Sequence, residues 1–146
     1  MTKYNPYLNF AGNTEEAFNF YKSIFGGEFA MLTRYKDGPK EDGCANGPVP
    51  PELGEKILHV ALPIGANMLM ASDAVPPLCP PVTTGSNVSL SLHPDSEAEA
   101  RRLFAALSAG GTVQMPFQPM FWGALFGMCA DKFGILWMVN FELPKA

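Results

Sequence analysis

Residues 6–28 read PYLNFAGNTEEAFNFYKSIFGGE, and residues 96–111 read SEAEARRLFAALSAGG. In the first stretch Asn13 followed by Glu16 resembles a capping box, and Ala17, Phe18, Tyr21, Ile24 and Phe25 recur at helical spacing before Gly26-Gly27 stops the run. The second stretch repeats the plan: Ser96 with Glu99 at the start, Ala100, Leu103, Phe104 and Leu107 as the apolar stripe, Gly110-Gly111 as the stop. Matching start and stop signals predict two equivalent helices.

Their flanks match too. Tyr7 to Phe10 and Asn87 to Leu92 precede the helices as strands, and Glu28 to Tyr35 and Thr112 to Phe117 follow them. Each half then closes with a hairpin. In the first half it is Ile57 to Ile64 with Asn67 to Asp73 around Gly65-Ala66. In the second it is Phe121 to Ala130 with Ile135 to Glu142 around Asp131-Lys132-Phe133-Gly134. Both halves therefore read βαβββ. The expected organisation is one domain over 1–146, with module one at 4–73, a proline-rich linker at 74–85 and module two at 86–142. The linker holds Pro76, Pro77, Pro80 and Pro81, whose fixed φ and missing donors suit an extended surface segment. Residues Lys36 to Glu55, rich in Gly, Pro and charge, read as an irregular excursion inside the first half.

With 146 residues, 47% of them hydrophobic, the chain can bury one sizeable core but hardly two independent ones. The net charge is -4 and the ten Lys and Arg are scattered, so no basic stripe is present to follow a phosphate backbone, and nucleic acid is excluded as an expected partner. The longest apolar stretch, Ile57 to Ala71, is broken by His59, Pro63, Gly65 and Asn67, and no apolar leader is seen at the N-terminus; no membrane association is expected. Cys44, Cys79 and Cys129 are odd in number without CxxC spacing, which fits reduced, mostly inert thiols and a cytoplasmic location.

The segments PYLNFAGNTEEAFNFYKSIFGGE, HVALPIGANMLMASD and DKFGILWMVNF resemble the PhnB-like branch of the vicinal-oxygen-chelate superfamily, which includes glyoxalase I, bleomycin-resistance proteins and extradiol dioxygenases. The resemblance implies an α+β fold: tandem βαβββ modules forming curved mixed sheets around a pocket, helices on the outer face. It also implies a homodimer, consistent with the exposed sheet edges such short modules leave. In such proteins a metal is bound from the first and last strands of each module, and those positions fall here on Pro6, Met70, Asn87 and Met138. These are poor ligands for a hard or borderline divalent ion, so no metal is expected. Some members of the branch are described as methyltransferases. No Gly-rich loop lies between a strand and a helix here, so no nucleotide-type cofactor is expected.

Alternation along strands turns those positions into a pocket map. With Asn87 inward, Ser89 and Ser91 follow it, while Val88, Leu90 and Leu92 face the helix layer. A two-residue Gly65-Ala66 turn pairs Ala61 with Met70 and His59 with Ser72, bringing His59, Met70 and Ser72 to the pocket side. A four-residue turn in the last hairpin sets Cys129 beside Leu136, Gly127 beside Met138 and Leu125 beside Asn140, with Phe121 at the pocket mouth. Leu8, Phe10, Met68, Met70, Leu136 and Met138 complete an apolar wall.

His59 is the best candidate for a general base or ligand anchor, against the commoner role of a hydrogen-bonded core histidine with no inward carboxylate nearby. His93, before Pro94, reads as surface. Asp131 reads as a turn cap, Trp137 as core on the helix side, and Trp122 as a ligand-stacking or subunit-contact residue. Three functions compete: a metal-free small-molecule-binding protein, an enzyme (a lyase, isomerase or dioxygenase acting on a small oxygenated substrate), and a structural dimer with a vestigial pocket.

Overall fold

The computed structural model describes residues 1–38 and 49–145. Two units are distinguished, Met1–Thr83 and Thr84–Ala146. Residues 39–48, and with them Cys44 and the middle of the expected 36–55 excursion, lie outside the described residues.

The first unit contains β1 (Tyr7–Phe10), α1 (Thr14–Phe25), β2 (Met31–Arg34), β3 (Ile57–Ile64) and β4 (Asn67–Asp73). Its sheet runs β1-β4-β3-β2, with β1 parallel to β4 and the other pairs antiparallel. The hairpin register is the expected one, Ile64 opposite Asn67 and Ala61 opposite Met70. Helix α1 packs on β3 and β4 through Ala17, Phe18 and Tyr21, none of which is exposed, while Phe10 meets Phe18 edge to face. The cap of α1 differs from the expected box. Asn13 makes no side-chain cap; instead the Asp73 carboxylate, at the end of β4, accepts from Thr14 N at 3.0 Å, Thr14 Oγ1 at 2.7 Å and Ile57 N at 2.7 Å. A tertiary carboxylate thus closes the helix start, which local sequence spacing cannot reveal.

The proline segment is also not a plain surface linker. Ala74, Leu78 and Cys79 are buried with Tyr35 in a cluster that Leu53, Leu58 and Val82 flank, and the Tyr35 hydroxyl donates to Asp73 O at 2.8 Å. Apolar burial of the residues between the prolines outweighs the prolines' preference for solvent. Where the excursion leaves and rejoins the sheet, Tyr35 N and Lys36 N donate to Lys56 O and Gly54 O, each at 3.0 Å.

The second unit repeats the order: β5 (Leu90–Leu92), α2 (Glu97–Ser108), β6 (Thr112–Met120), β7 (Ala124–Ala130) and β8 (Leu136–Glu142), in a sheet β5-β8-β7-β6 with β5 parallel to β8. Ser96 caps α2 as expected, accepting from Glu99 N at 3.1 Å. Each unit is βαβββ, α+β, with its helix covering one sheet face.

The last hairpin shifts by one residue from expectation. Asp131 N donates to Ile135 O, and the Asp131 side chain accepts from Phe133 N, Ile135 N and Trp137 Nε1. Gly134, at φ 90°, supplies the left-handed residue that a three-residue loop of this type needs. Ala130 therefore pairs with Leu136, Met128 with Met138 and Phe126 with Asn140. Leu125, Gly127 and Cys129 consequently belong to the helix-facing row, and Gly127 sits under the Phe104 ring, where an added Cβ would come within 2.8 Å.

Candidate functional site

A sheet face opposite its helix carries side chains that alternate with the buried row, so register decides which residues meet there. In β4 the buried residues are Leu69, Ala71 and Asp73, which leaves Met68, Met70 and Ser72 on the other face. Parallel pairing of Tyr7 with Met70 and of Asn9 with Ser72 adds Tyr7 and Asn9 to that face. Leu8 and Phe10 share the row of Ala71 and Asp73, so the expectation that Phe10 lines the pocket is corrected: it is 4% exposed and packs on α1. The Leu8 side chain likewise belongs to the helix-facing row.

The Tyr7 hydroxyl lies 3.0 Å from Ser72 Oγ and 3.3 Å from His59 Nδ1, and the phenol and imidazole rings stack with centroids 5.7 Å apart. His59 and Ser72 therefore meet where their register predicts, joined by a residue the sequence reading had not singled out. The phenol donates to Ser72 Oγ, and the direction of its contact with His59 Nδ1 follows the imidazole tautomer. The group is an array that can donate and accept hydrogen bonds.

Tyr7 also borders a cleft of about 550 Å3 formed by residues 7–9, Ala74 and residues 79–83. None of these side chains is charged.

In the second unit Ser91 and Met138 are paired and share a face, as expected, with Met128 beside them and Asn140 next to Phe126. Ser91 Oγ is 3.1 Å from Nε2 of His93, an exposed residue. Asn87 and Ser89 precede β5 rather than forming part of it, and Asn87 is exposed; the expected long strand begins only at Leu90. Val88 is likewise 70% exposed rather than turned to the helix layer. Phe121 and Trp122 form the β6–β7 turn with Gly123. Phe121 is 95% exposed, and Trp122 stands edge to face with both Phe121 and Phe126.

Cys129 is buried beneath α2; burial, with the Asp131 carboxylate nearby, pushes its thiol up to about 11. That thiol is an inert core group rather than a nucleophile. Among the described residues no group of three or more His, Cys, Asp and Glu side chains could hold a metal ion, and no helix is long and apolar enough to cross a membrane.

Residues 2–140 match the family model described as 3-demethylubiquinone-9 3-methyltransferase. Protein YjdN of Escherichia coli (strain K12) is 33% identical over 141 residues, spanning 93% of this chain and 92% of that protein. Among solved structures, protein PA1353 from Pseudomonas aeruginosa is 42% identical with a TM-score of 0.84, over 99% of this chain and 100% of that one. The PhnB protein from Bacillus cereus, which carries the same methyltransferase description, is 25% identical with a TM-score of 0.73, over 96% and 99%. At 14% identity and a TM-score of 0.58, over 94% and 97%, a glyoxalase/bleomycin resistance protein/dioxygenase family enzyme from Burkholderia phytofirmans PsJN shares the fold.

Proposed function

The chain belongs to the family described as 3-demethylubiquinone-9 3-methyltransferase, the PhnB-like branch of the vicinal-oxygen-chelate superfamily, and on that premise we propose that it is a metal-independent small-molecule-binding protein. One observation carries this reading: Tyr7, hydrogen-bonded to His59 and Ser72, borders a cleft of about 550 Å3 whose lining holds no charged side chain, a size that suits a small organic ligand.

The divalent metal that the superfamily implies does not fit these residues. Tyr7, rather than Pro6, shares a face with Met70, and Ser91 with Met138, so each face offers a hydroxyl and a soft thioether with one imidazole beside them, His59 at Tyr7 and His93 at Ser91, and among the described residues no group of three His, Cys, Asp or Glu side chains completes a site. A nucleoside-type methyl donor has no more support, because the turn between β1 and α1 is Ala11-Gly12-Asn13 and the start of α1 is already met by the Asp73 carboxylate. We therefore read the family description as a name rather than an activity of this chain.

A metal-free acid–base enzyme, lyase or isomerase, is the second reading, favoured by the contact of the Tyr7 phenol with His59 Nδ1. We further propose a cytoplasmic homodimer, supported by exposed apolar side chains on the edge strands, Met31 and Leu32 on β2 and Val113 on β6.

A thermal-shift screen of small organic molecules tests the binding reading. Hits that raise the melting temperature of the wild type and weaken in both Tyr7→Phe and His59→Ala support it. Hits left unchanged by both substitutions overturn it.

A further inference from the structure

The cleft touches three consecutive residues of β1, Tyr7, Leu8 and Asn9. Side chains of consecutive strand residues point to opposite faces, so what three in a row share is an edge. β1 is the end strand of its sheet, bonded to β4 on one side only. The direction of its backbone groups follows from the ladder: Met70 N donates to Pro6 O at 3.1 Å, and Ala74 N donates to Phe10 O at 2.7 Å. Backbone groups alternate sides along a strand, so Pro6, Leu8 and Phe10 turn toward β4, while the N–H and C=O of Tyr7 and Asn9 turn outward. Opposite stand Pro80 and Pro81, which have no N–H to offer and present apolar rings, followed by Val82 and Thr83.

Resting on the small-molecule reading, we infer that the cleft takes an uncharged ligand in which two secondary amides flank one carbon, as in a capped amino acid, and which pairs with the outward groups of Tyr7 and Asn9 as an added strand would. The N–H of one amide and the C=O of the next lie on the same side of such an extended segment, which is what the outward groups of an edge strand require. An ionic group would be desolvated against a lining that holds no counter-charge. The proline rings provide a flat apolar wall on which the rest of the ligand rests.

The probe is N-acetyl-leucyl-valine N-methylamide, a neutral capped dipeptide, titrated into the full chain and followed by backbone amide shifts. Expected are saturable shifts centred on residues 7–9 and 82–83, a tenfold or greater loss with the fully N-methylated probe, and a similar loss with uncapped, zwitterionic leucyl-valine. Asn9→Pro removes an outward N–H without removing a ladder bond, as prolines on edge strands do. It is expected to weaken the capped probe about tenfold while the protein stays folded by its amide spectrum. Should that variant unfold, the N-methylated probe still decides the matter.

Equal binding of the N-methylated probe overturns the inference, as does failure of the capped probe to bind at 10 mM. So do shifts that follow protein concentration rather than probe, since a second copy then occupies the edge. Shifts confined to His59 and Ser72 overturn the edge mode and leave the small-molecule site standing. Screening hits unaffected by Tyr7→Phe and His59→Ala remove the site itself.

Discussion

Tyr7 and His59 stand 52 residues apart in the chain, yet their rings stack at 5.7 Å and the phenol oxygen reaches Nδ1 at 3.3 Å. The contact exists because β1 lies beside β4, and β4 in turn pairs with β3, which bears His59. Ser72 on β4, bonded to the same phenol, sits between the two.

Tyr7→Phe keeps the ring and deletes the hydroxyl shared by His59 and Ser72. Tyr7 is 45% exposed, so stability should change by less than about 0.5 kcal/mol, whereas affinity for a ligand held by this array should fall roughly three- to tenfold. Paired denaturant melts and ligand titrations of the two proteins measure both. A large loss of stability with unchanged affinity would make Tyr7 a packing residue.

This contact also marks where the sequence was readable and where it was not. The βαβββ repeat was legible because glycine pairs, apolar stripes and the Gly65 turn are local signals, and the β3–β4 register followed from that turn alone. The β1 register was misread by taking Pro6 as inward. The segment itself held the better clue: Tyr7 and Asn9 alternate with the apolar Leu8 and Phe10, which places the apolar pair toward the helix. In the last hairpin the deciding term was the Asp131 side chain, which draws Ile135 into the turn and slides every later pair by one. No alternation pattern shows that, because Leu125, Phe126, Met128 and Cys129 are all plausible core residues. Nor could spacing show that Asp73 would cap a helix 59 positions away.

Asp73→Ala should be the most damaging single change in the first unit. The carboxylate is 1% exposed and accepts three hydrogen bonds, two of them from backbone N–H groups that would be left buried without a partner. A loss of about 3 kcal/mol is expected, or roughly 10 °C in Tm. Calorimetry measures it, and a loss below about 1 kcal/mol would show that water replaces the carboxylate.

Glycines separate two kinds of constraint. At Gly111 an added Cβ would lie 2.1 Å from Ala130 O and 2.8 Å from the Asp131 carbonyl carbon, both backbone atoms that cannot swing aside. At Gly65 the same atom would meet nothing within 4 Å, and only its φ of 58° opposes a side chain. Gly111→Ala should therefore cost about 2 kcal/mol or more, and Gly65→Ala about 1 kcal/mol. Urea melts of the two variants check the order, and a reversal would contradict the close approach at Gly111.

Cys129 predicts a pH effect with a definite sign. Its thiol is raised to about 11 in the folded chain, chiefly by burial, against about 8.5 for an unfolded thiol. Above the unfolded value the denatured chain loses this proton before the native one does, so stability is full below about pH 8.5 and declines as pH rises toward about 11. Between pH 8 and pH 10.5 the midpoint of urea denaturation should fall further in the wild type than in Cys129→Ala. Iodoacetamide at pH 8 should leave Cys129 unmodified in the native protein and label it once urea is added. Rapid native labelling of Cys129 would contradict its burial.

Removing divalent metal should change nothing. Tyr7 and Met70 share one sheet face, and Ser91 and Met138 share another, so these four residues offer hydroxyls and thioethers. Hydroxyl groups and soft sulfur atoms together hold zinc, nickel, manganese or iron(II) weakly. Protein purified without chelator is thus expected to contain far less than one equivalent of these metals by elemental analysis. Ligand binding in a thermal-shift assay should be the same with and without EDTA. One equivalent of metal that EDTA removes, with binding lost alongside it, would require ligands other than these four residues and would return the chain to the metal-dependent chemistry of its superfamily.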